Sequence, residues 1–431
     1  KTQFILETYH RGRPYLGELM KTFTGMQWLQ IDVANNHFSG LDKLTFENRL
    51  AWVNQNDKRL EQEILAKEWK TQPQYVSAIM ALRAAQQGKP TGHLVGVDAT
   101  ASGAQIMSAL TGCYSGAEAT NLVDPTRRAN LYNDLMVQMS VELGKPIADI
   151  PKDDVKKAIM TVLYGSEAMP AKLFGKGTPE LAAFYRTVVK VLPGATRMLN
   201  ALRNSWNPTA LKHTLKLPDG FTAHMKVMVD CESRVEVDEL DHATFQYNWK
   251  ENCAQEKGLS NIANAVHAVD AYVIRSLIRR TNYDEELFKW AEQALEGRLL
   301  LATNERTTDP DVKYYIEQFD RSGIADLVII PHLCDYSVNG LSTNHAVELL
   351  ELVRCSLTHA PFESMTVHDA VYCHPNNVDK CRMHYRNLLA ELADSSLLND
   401  ILSQLYGHSC TFEKETSNLG SYIRSSEYAL S

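Results

Sequence analysis

Two aspartates stand where apolar runs break off. In "HLVGVDATASGAQ" (93–105), Leu94–Val97 lead into Asp98, and small residues with a glycine follow. In "MTVHDAVYCHP" (365–375), Asp369 interrupts an apolar run beside His368. A carboxylate in apolar surroundings is costly unless it is neutralised. Two strands that each deliver an aspartate to their ends build a site for hard divalent cations, which favour carboxylate oxygens and keep phosphates and waters as further ligands. Two such ions on two aspartates are the parts of a phosphoryl-transfer centre. Either aspartate alone also reads as a helix N-cap or a turn residue.

A third stretch supplies the phosphate side. In "IPKDDVKKAIMTVLYGS" (150–166), Pro151, Asp153 and Asp154 mark a helix start. Lys156, Met160 and Tyr164 then recur every fourth residue on one face, with Lys152 a turn earlier and Gly165 beside the tyrosine. Cations at one end and an aromatic hydroxyl at the other match the polarity of a nucleoside triphosphate. A solvated amphipathic helix with a core tyrosine is the plainer reading.

Helical periodicity marks 46–69, 127–143, 345–360 and 381–407. Strand-like runs occupy 93–99, 213–218, 221–229, 326–333 and 364–374, and "LPDG" (217–220) reads as a hairpin turn. The expected class is α+β and helix-rich. The 431 residues suffice for a large core and more than one domain. Hydrophobic content of 44% is ordinary, and no run of about 20 apolar residues suggests a membrane span. Eight scattered cysteines without a CxxC pair argue against zinc ribbons and fit reduced thiols. At a net charge of −8, nucleic-acid binding would need local basic patches.

Together these segments resemble the single-subunit RNA polymerases of T-odd bacteriophages and mitochondria. "VDATASGAQ" resembles motif A, "KKAIMTVLYGS" motif B and "VHDAV" motif C. "HRGRPY", "ANNHFSGLDKLTFENRL", "GAEATNLVDPTRRANLY", "LPDGF", "AVHAVDA" and the final "NLGSYIRSSEYALS" extend the likeness in order along the chain. It implies a right-hand polymerase palm with a small antiparallel sheet and helical fingers. The implied division is palm entry 1–37, a helical palm insertion 38–92, motif A 93–115, fingers 116–267, palm 268–279, an unassigned insertion 280–360, motif C 361–399 and a C-terminal foot 400–431.

The implied activity is DNA-dependent RNA synthesis from NTPs. Asp98 and Asp369 would bind two Mg²⁺ ions. Lys156 and Lys152 would meet the incoming phosphates, and Lys156 would protonate the pyrophosphate. Tyr164, with Gly165 beside it, would meet the sugar, and Tyr132 and His267 would lie by the template and nascent base pair. Arg11 and Arg13 would contact the template or hybrid, and His368 would support the motif C turn. Related DNA polymerases carry a Glu where Gly103 stands and an aromatic where Met160 stands, so a ribonucleotide pocket is expected. A DNA polymerase fragment or a silent DNA-binding subunit is the alternative.

The chain most resembles the larger, palm-and-fingers subunit of the heterodimeric RNA polymerases of N-four-like phages. That implies a second polypeptide supplying the N-terminal domain and thumb, which are expected to be absent here. DNA template and RNA transcript would be further partners, and the place of action would be the cytoplasm of an infected bacterium. Departures are Tyr9 before Arg-Gly-Arg, Ala370 after His-Asp, and the long 280–360 segment. Arg275, Arg279 and Arg280 form a helical stripe that reads as phosphate contact by Arg275 or as a solubility face. The region that reads promoters in relatives is acidic here (230–251), which points to an accessory promoter-recruitment protein.

Overall fold

The computed structural model describes residues 20–66, 68–301 and 308–431. At its centre is a three-stranded antiparallel sheet in the order β1 (Val95–Val97), β7 (Ala370–Cys373), β6 (Met365–Val367). Val95 faces Cys373 and Val97 faces Val371, and all four are buried, so the sheet turns one apolar face inward. On the other face Gly96 lies against Tyr372. A Cβ at Gly96 would stand 2.6 Å from that ring, which leaves glycine as the fit.

Helices cover the buried face. Helix α1 (Gly25–Asn35) is closed at its start by a Thr24–Gln27 capping box. Helix α2 (Ser102–Thr111) follows motif A and is buried along its whole length. Helices α3 (Leu131–Leu143) and α4 (Lys152–Val162) pack against each other. Helix α5 (Ser260–Thr281) and helix α6 (Val378–Asp394) complete the frame, α6 with Tyr385, Leu388 and Leu389 in the core. One apolar core joins these elements. A second core, including Phe288, Leu295, Val312, Ile330, Leu350 and Val353, belongs to the long segment between α5 and β6.

Several sequence expectations are corrected. The apolar run 326–333 is a 3₁₀ helix (Leu327–His332), not a strand. Asp326 caps it by accepting from the Val328 N–H, and Pro331 has no N–H to offer a sheet. The 46–69 helix is two helices separated by a 3₁₀ turn at Asp57–Arg59. The 381–407 helix breaks at Ser395, and 127–143 becomes helical only from Leu131. The hairpin at 217–220 is present, joining β2 (Lys212–Lys216) to β3 (Thr222–Lys226). Beyond it lies a long ribbon, β4 (Met228–Val237) with β5 (Ala243–Asn252), which the sequence reading had not resolved into strands. Among the described residues no helix is long and apolar enough to cross a membrane.

Buried ion pairs lock the frame. Arg382 donates to Asp379 and to the Glu427 carbonyl, and its guanidinium lies over the Trp28 and Phe46 rings. Arg280 makes a two-pronged pair with Glu391. Asp326 accepts from Arg279 at 2.8 and 3.0 Å and from Ser276 at 2.8 Å. Burial works to raise the Asp326 pKa, but the charge and hydrogen bonds of Arg279 outweigh it and hold the carboxyl below its ordinary value. Asp326→Ala should therefore cost about 3–5 kcal/mol at neutral pH, because it strands buried donors. A carboxyl depressed in the fold stabilises above its unfolded pKa and loses that stabilisation as pH falls, so the penalty should shrink in acid. Urea midpoints at pH 7 and at about pH 2.5, below the ordinary carboxyl value, measure both.

Candidate active site

Sheet register brings the two aspartates together. Val97 pairs with Val371, so Asp98 leaves β1 and Asp369 enters β7 at the same end of the strand pair. The β6–β7 turn is only His368–Asp369, closed by the Val367–Ala370 pair. Two-residue hairpin turns need left-handed backbone, and His368 takes it with φ +57°. On the other strand Ala101 has φ +54°, which turns the chain sharply from Asp98 into α2. Non-glycine residues in this region are uncommon and costly. The 430–431 backbone lies against motif A: Ser431 N–H donates to the Asp98 carbonyl at 3.0 Å, and Ala99 bridges Leu430.

Electrostatics report the convergence. Asp98 keeps a solvent-open edge, yet its carboxyl is crowded by protein. Burial first, and then the charge of Asp369, push its pKa up to about 6, while Lys43 and Arg128 pull the other way. Arg128 is fixed by donating to Thr100 Oγ1 and to the Asp42 carbonyl. Two aspartates at one sheet end, the charge of Asp369 opposing ionisation of Asp98, are a donor set suited to a divalent cation.

The motif B residues border the same cleft. Lys156 Nζ lies 5.3 Å from the centre of the Tyr132 ring. The Tyr132 hydroxyl is pushed up by burial and then by the charges of Asp369 and Asp98. Tyr164 stacks on His267, with centroids 4.4 Å apart and planes 9° from parallel. A Cβ at Gly103 would come within 3.1 Å of the Tyr164 hydroxyl, so the tyrosine occupies the space that a side chain there would take. Tyr164 itself lies just past the end of α4, not on it; the helix stops at Val162. Gly165 turns the chain with φ +89°, where a Cβ would meet Ile262 at 2.9 Å. Lys152 is exposed one turn before Lys156, at the start of α4.

Other expected residues lie elsewhere. Arg275 donates to Asp219 at 2.7 and 3.2 Å and stacks over Phe221. With Arg279 on Asp219 and Asp326, and Arg280 on Glu391, the stripe is an internal ion-pair network in this structure. Arg11 and Arg13 lie outside the described residues. An exposed group of Glu236, Asp238 and His242 sits at the tip of the β4–β5 ribbon, on different elements from Asp98 and Asp369.

Sequence reasoning missed three charged residues of the site. Asp270 lies on α5 one turn after His267, and burial and then Asp369 push its pKa up to about 6. Its signal was the spacing within "AVHAVDA". Lys43 and Arg128 lay within quoted segments, but no local pattern ties them to Asp98.

The chain is similar to known proteins. The family described as "DNA-dependent RNA polymerase" matches residues 21–176, the stretch that holds Asp98, Lys156 and Tyr164. The chain is similar to the "DNA-directed RNA polymerase" of Pseudomonas phage phiKMV, 23% identical over 405 residues, covering 88% of this chain and 44% of that protein. It is also similar to "DNA-directed RNA polymerase 1, mitochondrial" of Nicotiana sylvestris, 26% identical over 191 residues, covering 37% of this chain and 18% of that protein. A further relative is "DNA-directed RNA polymerase 2, chloroplastic/mitochondrial" of Arabidopsis thaliana, 25% identical over 176 residues, covering 33% of this chain and 17% of that protein. The chain thus spans less than half the length of each.

The charge crowding gives a signed expectation. A carboxyl whose pKa is raised in the fold costs stability above that pKa, and the cost fades as pH falls toward the unfolded value. In metal-free protein Asp369→Asn should lower the Asp98 pKa. It should leave stability at pH 7.5 unchanged or raise it by less than about 1 kcal/mol once solvent screening is counted, read as an equal or higher melting temperature. The difference should shrink below about pH 6 and vanish near pH 4, the ordinary carboxyl value. A variant clearly less stable than wild type at pH 7.5 would mean that the two carboxylates do not oppose each other.

Proposed function

We propose that this relative of the DNA-directed RNA polymerases is the palm-and-fingers part of such an enzyme, extending an RNA 3′ end from NTPs on a DNA template. The reading rests on one arrangement above all: Asp98 and Asp369 share one end of a sheet, beside a tyrosine that fills the space over Gly103. Asp98 and Asp369 would hold two Mg²⁺ ions, and the crowding of their charges suits that load. When bound, such ions activate the attacking hydroxyl and stabilise the leaving pyrophosphate.

The chain's own residues do the positioning. Lys156, over the Tyr132 face, offers three N–H donors to the phosphates and a proton for the departing pyrophosphate. Lys152 extends that cationic edge outward. His267 braces the Tyr164 ring, so the phenol can meet the sugar edge. With no side chain at Gly103 the Tyr164 hydroxyl takes that space, where a ribose 2′-hydroxyl can meet it, and a deoxyribose would leave a desolvated polar group unpaired, at about 1–3 kcal/mol. These features favour ribonucleotides over the DNA-polymerase reading.

The β4–β5 ribbon bears on promoter choice. Residues 228–252 hold seven acidic against two basic residues, a balance that repels duplex phosphates. Within this proposal an accessory protein therefore guides the enzyme to its promoters, and the phage relative suggests action in the cytoplasm of an infected bacterium.

A primed RNA–DNA template tests the assignment. Wild-type enzyme should extend with rNTPs and Mg²⁺ in preference to dNTPs. Asp98→Asn and Asp369→Asn should each lower extension by about 10²–10³-fold or more, the scale of losing one preorganised electrostatic group, with the melting temperature little changed. Robust extension by Asp369→Asn would remove the assignment, and a preference for dNTPs would favour a DNA polymerase.

A further inference from the structure

Behind the Tyr164 phenol lies a polar chain that the proposed mechanism has not used. Ser102 is buried at the first turn of α2, next to Gly103. Its Oγ lies 3.4 Å from Asp270 Oδ2, on the neighbouring helix α5. The Tyr164 hydroxyl lies against the adjacent Gly103, 3.1 Å from where a Cβ there would stand. Asp270 shares a face of α5 with His267, whose ring stacks on Tyr164. Three side chains from two helices thus cluster around one phenol.

We infer that Ser102 and Asp270 are positioning residues that fix the direction of the Tyr164 hydroxyl and thereby set the sugar specificity of the site; this rests on the polymerase reading above. The argument is one of donor polarity. An ionised carboxylate only accepts hydrogen bonds, whereas a hydroxyl donates one and accepts others. Asp270 therefore takes the Ser102 proton, and Ser102 Oγ is left to take the phenolic proton of Tyr164. With its only proton committed inward, the Tyr164 oxygen faces the cleft as an acceptor. A ribose 2′-hydroxyl can donate to it; a deoxyribose has nothing to donate. Without the chain the phenol could rotate and present its proton outward, and the distinction between sugars would blur. His267 holds the ring plane, and the Ser102–Asp270 pair fixes the rotation about the C–O bond.

The test uses the polymerase as isolated, with any subunits that copurify, and two readouts. One is the ratio of rNTP to dNTP incorporation on a primed template; the other is equilibrium binding of ATP against dATP. Ser102→Ala and Asp270→Asn are close in size to the native residues, and melting curves check their folding. Each should reduce both ratios roughly 3- to 10-fold, the range that one neutral hydrogen bond supports. In a Tyr164→Phe background neither should change the ratios further, because the group they orient is gone. Undiminished selectivity in both folded variants would overturn the inference. So would losses that multiply with that of Tyr164→Phe, since they would place Ser102 and Asp270 on a separate path. If wild-type protein extends nothing, the polymerase reading fails by itself. The ATP-to-dATP binding ratio then still decides this inference: a preference that Ser102→Ala leaves intact, or no preference in the wild type, overturns it.

Discussion

The register of β1 against β7 is the constraint on which the site depends. A one-residue slip would turn every side chain of β1 to the opposite face and carry Asp98 away from Asp369. Three features hold it. Val95, Val97, Val371 and Cys373 are buried on one face. Gly96 and Tyr372 interlock on the other. The 430–431 backbone clasps Asp98 and Ala99 from the side. Burial first, and then the charge of Asp369, raise the Asp98 pKa, so no attraction joins the aspartates and packing brings them together. Lys43 and Arg128 offset only part of that cost.

Charge is divided by depth. Arginines that could have formed a basic surface are turned inward: Arg382 on Asp379 and Glu427, Arg280 on Glu391, and Arg279 on Asp219 and Asp326. A planar guanidinium suits such buried, multiply bonded sites. Lysines 152 and 156 lie exposed on α4. A mobile ammonium on a flexible stem can follow a phosphate, and leaving it solvated costs little. The net charge of −8 therefore says little about the cleft, where placement outweighs the sum.

What the sequence disclosed and what it hid divide along a physical line. Asp98, Asp369, Lys156 and Tyr164 were legible because each belongs to a local pattern, an apolar run that breaks or a helical repeat. The 217–220 turn was legible for the same reason. Asp270 was hidden because its partner Ser102 lies 168 positions away. Arg275 read as a surface cation because Asp219, 56 positions away, carries no sign of the pairing. Residues 326–333 have the composition of a strand; Asp326, held by the distant Arg279, caps them into a 3₁₀ helix, and Pro331 was the one local sign of it. The β4–β5 ribbon was missed because its charged residues mask the alternation of Phe245, Tyr247 and Trp249, which share one face.

The long segment between α5 and β6 raises the question of how so many residues can enter without moving Asp369 relative to Asp270. Its two ends meet. Phe362 N–H donates to the Thr281 carbonyl at 2.8 Å, and Tyr283 Oη bonds the Ser356 and His359 carbonyls. The chain therefore leaves α5 and returns to β6 at nearly the same place. Inside the excursion the helices bury their own apolar faces, and Arg354 ties two of them by pairing with Glu292 and Glu296. A segment with its own core offsets its own ordering entropy, and the cost of closing a loop grows only slowly with its length. Ser396 N–H to the Ser322 carbonyl and Tyr314 Oη to the Gly220 carbonyl then fasten it at two further points. Because α5 ends and β6 begins at a shared hydrogen bond, the helix that carries Asp270 and the hairpin that carries Asp369 stay registered across the excursion.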